Sequence, residues 1–270
     1  MKTLRDKTVV VTGASRGIGR AIALRSAQDG ANVAILAKTD KPHPKLPGTI
    51  HTVAKEVEEA GGRALPLQVD VRYDEQIQEA VAKIVETFGG IDILINNASA
   101  IFIASTENTP MKRFDLMHQC NVRATFCCSQ ACLPYLKKGD SAHILNLSPP
   151  LNMAPNCFAP HLAYSLSKYG MSLCTLGMAE EFKRQGISIN SLWPKTTIAT
   201  SAIETFFPDA FLRSRKDSIV SDAAYIILTK EPAPTGHFFI DEEVLRDEGM
   251  TDFEKYAMTP GEKLQTDLFL

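Results

Sequence analysis

Residues 12–19 read TGASRGIG (Thr12–Gly19), and this stretch decides how the chain folds. It directly follows the apolar run Thr8–Thr12 (TVVVT) and precedes a helical pattern over Arg20–Ala27. Glycines at such a junction permit a tight turn and let backbone N–H groups approach a pyrophosphate at the start of the helix. The stretch therefore predicts a strand, a phosphate-binding turn and a helix.

The rest of the chain repeats this alternation of apolar run, polar turn and amphipathic helix. The predicted strands are Thr8–Thr12, Asn32–Ala37, Ala64–Val69, Ile91–Ile95, His143–Leu147, Ile187–Leu192 and His237–Ile240. Continuous apolar strands separated by helices indicate a parallel sheet that is covered on both faces. We therefore predict an α/β fold, a single Rossmann-type doubly wound parallel seven-stranded sheet. It forms one domain over residues 1–270, with an extended C-terminal tail from about residue 242.

Composition narrows the functional classes. The 270 residues are 44% hydrophobic and 22% charged, with a net charge of −2, so no basic surface for nucleic acid or anionic membranes is expected. No apolar run approaches the roughly 20 residues of a membrane helix, and the N-terminus lacks the pattern of a signal peptide. The six cysteines lack the paired spacing of a zinc site. We expect a cytoplasmic protein without a metal.

Further motifs follow the glycine turn in a fixed order. They are Asp70–Val71 after the third strand, Asn96–Ser99 (NNAS), Asn121 and Tyr164–Lys168 (YSLSK). With the TG-x3-G-x-G spacing, they resemble the short-chain dehydrogenase/reductase family over nearly the whole chain. The resemblance implies an enzyme that interconverts an alcohol (CH–OH) and a carbonyl (C=O) with a nicotinamide dinucleotide.

The charges around the nucleotide turn favour NADP(H). NAD-binding proteins carry an acidic residue at the end of the second strand, but here that position is Ala37, followed by Lys38. Arg16 lies in the glycine turn and faces the same region. Either cation alone is compatible with a solvated surface position, but their joint placement favours a 2′-phosphate. By resemblance, the cofactor site comprises Gly13, Ser15, Arg16, Gly17, Ile18, Gly19, Lys38, Asp70, Val71, Asn97, Tyr164, Lys168 and Pro194.

Tyr164 and Lys168 form the predicted proton-transfer pair. Four residues apart in a helical segment, their side chains share one face of the helix. A free tyrosine ionises near pH 10, and a lysine cation close by is expected to lower its pKa. Tyr164 then exchanges a proton with the substrate oxygen while the cofactor moves a hydride.

Two further catalytic residues, Asn121 and Ser148, are implied by the resemblance. Asn121 corresponds to the family asparagine that holds a water linking the lysine to solvent. Ser148 ends the fifth predicted strand, where the family usually has two serines and the second polarises the carbonyl. Here Pro149 takes that second place, and proline has neither a hydroxyl nor an N–H. Either the altered loop moves Ser148 into position, or the site works without it.

Other positions depart from the common family pattern. Ser99 replaces the glycine of NNAG, Lys195 follows Pro194 where glycine is common, and the last strand ends in IDEE (Ile240–Glu243). Lys195 is expected either to meet a pyrophosphate or an acidic substrate, or to lie in solvent. These departures resemble a branch of the family whose longer members add a sterol-carrier-type domain and a peroxisomal signal. The sequence here ends in DLFL before any such domain, so lipid transfer and a peroxisomal location are not expected.

Two functional interpretations remain. The first is an NADP(H)-dependent oxidoreductase acting on a small hydrophobic carbonyl or alcohol, as a homodimer or homotetramer by resemblance. Phe206, Phe207 and Phe211 then either line an apolar pocket or pack the core of their own loop. The alternative is an NADP(H)-binding sensor or scaffold with little turnover, which the altered positions favour and the retained Tyr164 and Lys168 oppose. A serine hydrolase is disfavoured because Ser148 lies outside any GxSxG motif.

Overall fold

The computed structural model describes residues 2–44, 46–140 and 142–270 and contains one parallel sheet. Its strands are β1 Thr8–Thr12, β2 Asn32–Ala37, β3 Arg63–Gln68, β4 Ile93–Asn96, β5 His143–Asn146, β6 Ser188–Trp193 and β7 Phe238–Ile240. Their order across the sheet is β3-β2-β1-β4-β5-β6-β7, and every neighbouring pair is parallel. The predicted Rossmann-type doubly wound sheet is therefore confirmed, with strand ends shifted by at most two residues.

Helices cover both faces of this sheet. They are α1 Gly17–Ala27, α2 Ile50–Glu59, α3 Asp74–Phe88, α4 Met111–His118, α5 Ala124–Leu136, α6 Leu162–Phe182, α7 Ser201–Phe206, α8 Ser218–Thr229 and α9 Asp241–Asp247. In β1, Val9 and Val11 pack with α1, α2, α8 and α9, whereas Val10 points to the opposite face and packs with α3, α5 and α6. Burial on both sides explains why the strands are continuously apolar.

The segment after β7 lies along the carboxyl ends of the strands. Thr266 forms an antiparallel bridge with Thr196 in the loop after β6. The N–H of Thr197 donates to the carbonyl of Gln265 at 2.9 Å, and the N–H of Asp267 donates to the carbonyl of Lys195 at 3.1 Å. These backbone bonds hold the last residues of the chain against the sheet edge where the predicted site lies.

An ionic cluster around the buried side chains of Glu242 and Arg215 supports this arrangement. Glu242, in the first turn of α9, bonds to Lys195 at 3.0 Å, to Arg215 at 2.6 Å and to Arg246 at 2.8 Å. Burial opposes ionisation of Glu242, but the three cations outweigh it and lower its pKa to about 2. The Lys195 ammonium pairs with Glu242 while its side chain stays 43% exposed, which agrees with the expected solvent position and adds a partner that the sequence did not indicate.

Replacing Glu242 by Gln is expected to lower the free energy of unfolding by about 3 kcal/mol, because the buried Arg215 guanidinium loses its hydrogen-bonded carboxylate. Urea unfolding at neutral pH measures this loss. Glu242 is ionised in the folded state down to about pH 2 and in the unfolded state only above about pH 4.5. Its contribution is therefore complete above pH 4.5 and disappears as the pH falls towards 2.

The matched control is Glu248→Gln, which breaks the more exposed pair between Lys230 and Glu248. That change should cost less than about 1 kcal/mol. Equal losses for the two variants would contradict the anchoring role of Glu242.

Candidate active site

A cleft of about 870 Å³ opens at the carboxyl ends of the strands. It begins at the turn between β1 and α1, passes the ends of β2, β3 and β4, and ends between α6, the loop after β6 and the C-terminal segment. The strand order reverses between β1 and β4, and the crevice outside such a point is where open α/β sheets bind ligands.

The glycine turn forms the floor of one half of the cleft. Gly13 and Gly17 have φ values of 69° and 55°, a backbone conformation that residues other than glycine rarely adopt. A Cβ on Gly19 would collide with the Asn97 amide nitrogen, which donates to the carbonyls of Thr12 at 2.8 Å and Gly13 at 3.2 Å. The first turn of α1 has neither a side-chain cap nor an acidic residue. Its amides thus suit an anion such as pyrophosphate.

Three basic side chains, Arg16, Lys38 and Lys41, line a smaller pocket at the outer end of this half, together with His43 and Asp40. The Arg16 guanidinium is fixed by the proline-rich loop after β2, because it donates to the carbonyl of Pro47 at 2.9 Å and to Thr39 Oγ1 at 3.1 Å. Lys45 of this loop lies outside the described residues. Sequence reasoning missed Lys41 and His43, although their position just after the second strand was a usable signal.

Two further residues of the predicted cofactor site follow β3. Asp70 and Val71 line the wall of the cleft. The Asp70 carboxylate accepts bonds of 2.5–3.0 Å from the Arg72 guanidinium. Burial opposes ionisation of Asp70, but the bonds from Arg72 outweigh it and lower the pKa of the carboxyl.

Tyr164 and Lys168 line the other half of the cleft, one turn apart on α6 and almost completely buried. The Lys168 ammonium donates to the carbonyl of Leu147 at 2.6 Å and lies 5.0 Å from the Trp193 ring centroid. Burial lowers the pKa of Lys168 to about 7, against the favourable charge of Asp267. Burial, reinforced by the charge of Asp267, raises the pKa of Tyr164. The lowering of the tyrosine pKa expected from the sequence is therefore not the direction found here.

Asn121 lies behind the cleft wall, in a π-helical turn (Gln119–Arg123) between α4 and α5. It is fully buried. Its Oδ1 accepts the N–H of Ala100 at 2.7 Å, and its Nδ2 donates to Ser167 Oγ at 2.8 Å. Ser167 in turn donates to the carbonyl of Tyr164 at 2.8 Å. Asn121 thereby links the loop after β4 to the helix that carries Tyr164.

Ser148 lies away from the cleft lining and is fully buried. Its hydroxyl shares a 2.8 Å hydrogen bond with Ser191 Oγ on β6. Ser191 lies 2.7 Å from Thr175 Oγ1, which accepts from Asn146 Nδ2 at 2.8 Å. The structure therefore brings Tyr164 and Lys168 together at the cleft and places Ser148 in a separate polar network between β5, β6 and α6.

The inner end of the cleft is closed by two segments that the sequence only partly indicated. Phe206 and Phe207 line the cleft, whereas Phe211, grouped with them on sequence grounds, is absent from the cleft lining. The second segment is C-terminal and contributes Gln265, Thr266, Asp267 and Leu268. Phe269 next to it is buried, with its ring centroid 6.1 Å from that of Tyr164. In the sequence, only the aromatic Phe269 of DLFL indicated that this segment packs against the cleft.

Over residues 2–44, 46–140 and 142–270, no three or more His, Cys, Asp and Glu side chains are grouped to hold a metal ion. In that same part of the chain, no helix has the length and apolarity required to cross a membrane.

The glycine turn, the crevice at the strand reversal and the Tyr–Lys pair define a dinucleotide-dependent oxidoreductase fold. The chain belongs to the short chain dehydrogenase family, whose sequence model matches residues 7–209. Members of this oxidoreductase family use nicotinamide cofactors and act on CH–OH and C=O groups.

Relatives in this family include hydroxysteroid dehydrogenase-like protein 2 from Bos taurus, which is 57% identical over 264 residues. The Homo sapiens protein of that name is 56% identical. Each alignment covers 97% of this chain but 63% of the relative, so the chain spans under two thirds of their length.

Solved structures of similar proteins cover the chain almost completely. A short chain dehydrogenase from Mycobacterium thermoresistibile is 51% identical with a TM-score of 0.94, and the match covers 99% of this chain and 96% of the other. A Xanthomonas campestris protein is 54% identical with a TM-score of 0.97, and the match covers 99% of both chains.

Proposed function

We propose that this protein is an NADP(H)-dependent oxidoreductase that interconverts a hydrophobic carbonyl compound and its alcohol. The observation that carries the proposal is the burial of Tyr164 and Lys168, one helical turn apart, at the inner end of a cleft whose outer end is a glycine turn. We further propose that the domain spans residues 1–270, because the C-terminal segment forms part of this cleft.

The residues present fit the proposed cofactor. A Cβ on Gly13 or Gly19 would collide with Asn97, so these glycines let the turn pack closely against the loop after β4, while the uncapped amides at the start of α1 favour the negative charge of a pyrophosphate. NADPH, when bound, supplies the hydride that reduces the carbonyl carbon. The Tyr164 hydroxyl donates its proton to the carbonyl oxygen, which completes the alcohol. Lys168 stabilises the resulting phenolate by its charge until solvent returns a proton.

The preference for NADP(H) rests on charge at the outer pocket. Arg16, Lys38 and Lys41 line it with His43, and the one carboxylate among its lining residues, Asp40, lies 2.6 Å from His51 Nε2. A 2′-phosphate carries negative charge that such a pocket attracts, whereas the 2′-hydroxyl of NAD is usually held by a carboxylate at the end of the second strand. Ala37 occupies that position here.

The hydrophobic substrate is inferred from the inner walls. Ile101, Leu116, Phe206, Phe207 and Leu268 line the cleft around the reaction end. Pockets of this kind bind the apolar part of a ligand by excluding water and use a few polar groups to orient it.

A sensor or scaffold with little turnover is the second candidate. It is favoured by one observation, the engagement of the Ser148 hydroxyl by Ser191 outside the cleft. Burial of a tyrosine and a lysine together in the cleft is harder to explain for a protein that only binds the dinucleotide, because burying a lysine without a counter-ion is costly.

Tyr164→Phe should reduce the turnover of NADPH with aldehydes and ketones by about 100-fold or more, because the proton donor is removed while the ring remains. Steady-state NADPH oxidation against a carbonyl panel measures this loss, and fluorescence titration should give an NADPH affinity close to that of wild type. Tyr135→Phe on α5 is the matched control and should retain activity. Wild-type protein that binds NADPH tightly but oxidises it with no carbonyl would support the sensor instead.

Lys38→Asp should weaken NADPH binding by about 30-fold, since a charge-assisted contact of about 2 kcal/mol is replaced by repulsion. NADH binding should strengthen, because the new carboxylate can accept bonds from the ribose hydroxyls. Parallel titrations with the two cofactors, on Lys38→Asp alone and with Arg16→Ala, measure the shift. Lys55→Asp on the exposed face of α2 is the control. An unchanged preference would contradict the proposed 2′-phosphate contacts.

We also propose that the protein self-associates through α5 and α6. Leu166, Leu173 and Leu176 on α6 are 45%, 57% and 50% exposed, and Phe126 on the adjacent α5 is 50% exposed. Their spacing on α6 places the three leucines on one face of the helix. A contiguous apolar face of two neighbouring helices is a common surface for forming homo-oligomers.

Leu173→Glu should convert the proposed oligomer to a monomer, because a charge would be buried in the centre of the interface. Light scattering after size-exclusion chromatography gives the mass of each species. Leu212→Glu is the matched control, since Leu212 is 62% exposed and lies outside α5 and α6. A wild-type monomer, or equal effects of both variants, would argue against this interface.

A further inference from the structure

The C-terminal segment brings a carboxyl group into the reaction end of the cleft. Asp267 lines the cleft together with Tyr164, Lys168 and Trp193. It is held on both sides, because Trp193 Nε1 donates to the carbonyl of Leu268 at 2.9 Å and the N–H of Gln265 donates to the carbonyl of Arg213 at 2.9 Å. Asp267 is therefore positioned by fixed neighbours, as a functional side chain must be.

The two carboxyl oxygens of Asp267 have different surroundings. Oδ1 accepts the N–H of Leu268 at 2.6 Å. Among the hydrogen bonds of the described residues, none involves Oδ2, and no Lys, Arg or His nitrogen of those residues lies within 4.0 Å of the carboxyl. Because Asp267 remains partly exposed to the cleft, Oδ2 is available to a ligand there.

The charged and titratable groups around Asp267 come from three elements. Tyr164 and Lys168 on α6 interact with it electrostatically, and Asp241 at the start of α9 adds negative charge. The ammonium of Lys195, whose carbonyl receives the Asp267 N–H, is paired with Glu242 instead. Burial, with the nearby charge of Asp241, raises the pKa of Asp267 to about 7, so the carboxyl holds its proton up to near-neutral pH.

Reduction of a carbonyl places negative charge on its oxygen, which is best stabilised by more than one hydrogen-bond donor. Tyr164 supplies one donor. Several nearby donors are already engaged, since Lys168 Nζ bonds to the Leu147 carbonyl, Trp193 Nε1 to the Leu268 carbonyl, and the Ser148 hydroxyl to Ser191. The accessible oxygen of Asp267 has no such partner.

We propose that Asp267, in its protonated form, donates a hydrogen bond from Oδ2 to the reacting carbonyl oxygen and acts as the second donor beside Tyr164. This inference rests on the proposed oxidoreductase function. The carboxyl keeps its proton throughout, so the hydride and the proton still come from the cofactor and Tyr164.

The test compares Asp267→Ala with Asp267→Asn in NADPH-dependent carbonyl reduction across neutral pH. Asn keeps an oxygen for the Leu268 N–H and an N–H donor that does not ionise. Near pH 6, Asp267→Ala should lower kcat by about 100-fold, as expected for loss of one such donor. Asp267→Asn should stay within about tenfold of wild type. The wild-type kcat should fall as the pH rises through about 7, and in Asp267→Asn that fall should be smaller, because only Lys168 then loses its proton in this range.

Asp252→Ala is the matched control, because Asp252 lies in the same C-terminal region, accepts the N–H of Glu254 and is exposed. It should leave kcat unchanged. The donor role is overturned if Asp267→Ala keeps the wild-type kcat and pH profile. It is also overturned if the loss appears as weaker NADPH binding, which would assign Asp267 to the cofactor, or as unfolding of the variant in a thermal melt.

A second measurement is independent of turnover. Infrared difference spectra between wild type and Asp267→Asn, without substrate, should show a protonated carboxyl band that disappears as the pH rises through about 7. Titration near the ordinary value for aspartate overturns the inference even if the protein is an active reductase. If wild-type protein reduces no carbonyl, the proposed function and the donor role both fail. If wild-type protein is active and Asp267→Ala is unaffected, only the donor role fails.

Discussion

The cleft depends on the hydroxyl of Thr12, which joins the two strands between which the cleft opens. The hydroxyl accepts the N–H groups of Asn97 and Ala98, each at 3.0 Å, and donates to the carbonyl of Ile95 at 3.2 Å. These bonds join the end of β1 to the end of β4, the two strands between which the sheet order reverses. Because the chain leaves these strands in opposite directions, the crevice between them stays open and carries the glycine turn on one side.

The acidic pair after β7, Asp241 and Glu242, supports the other end of the cleft. Asp241 accepts the N–H of Lys195 at 2.9 Å, and Glu242 binds three cations. Together they hold the loop after β6, which in turn bonds to Gln265 and Asp267 of the C-terminal segment. The IDEE sequence that departs from the common family pattern thus has a structural reason, since it supports a wall of the proposed substrate pocket.

The regular part of this architecture was predictable from the sequence, whereas the C-terminal wall was not. Strands and helices follow from local periodicity, and the glycine turn and Tyr164–Lys168 lie at short, regular spacings that local rules can read. Asp267 reaches the cleft through long-range contacts, among them the backbone bonds of its segment to Lys195 and Thr197, about 70 residues earlier in the chain. The engagement of Ser148 by Ser191 is likewise a contact between separate strands, so the sequence left its direction open.

Burial shifts the pKa values of Lys168 and Asp267, at the reaction end of the cleft, in opposite directions. It lowers the pKa of the lysine and raises that of the aspartate, each to about 7, because a charged form of either loses its hydration. Asp267 interacts electrostatically with both Lys168 and Tyr164, so a change in its ionisation alters the charge that each of them feels. The proton state of the cleft is therefore a property of all three groups, and any pH dependence of the reaction will report their coupled titration rather than that of Tyr164 alone.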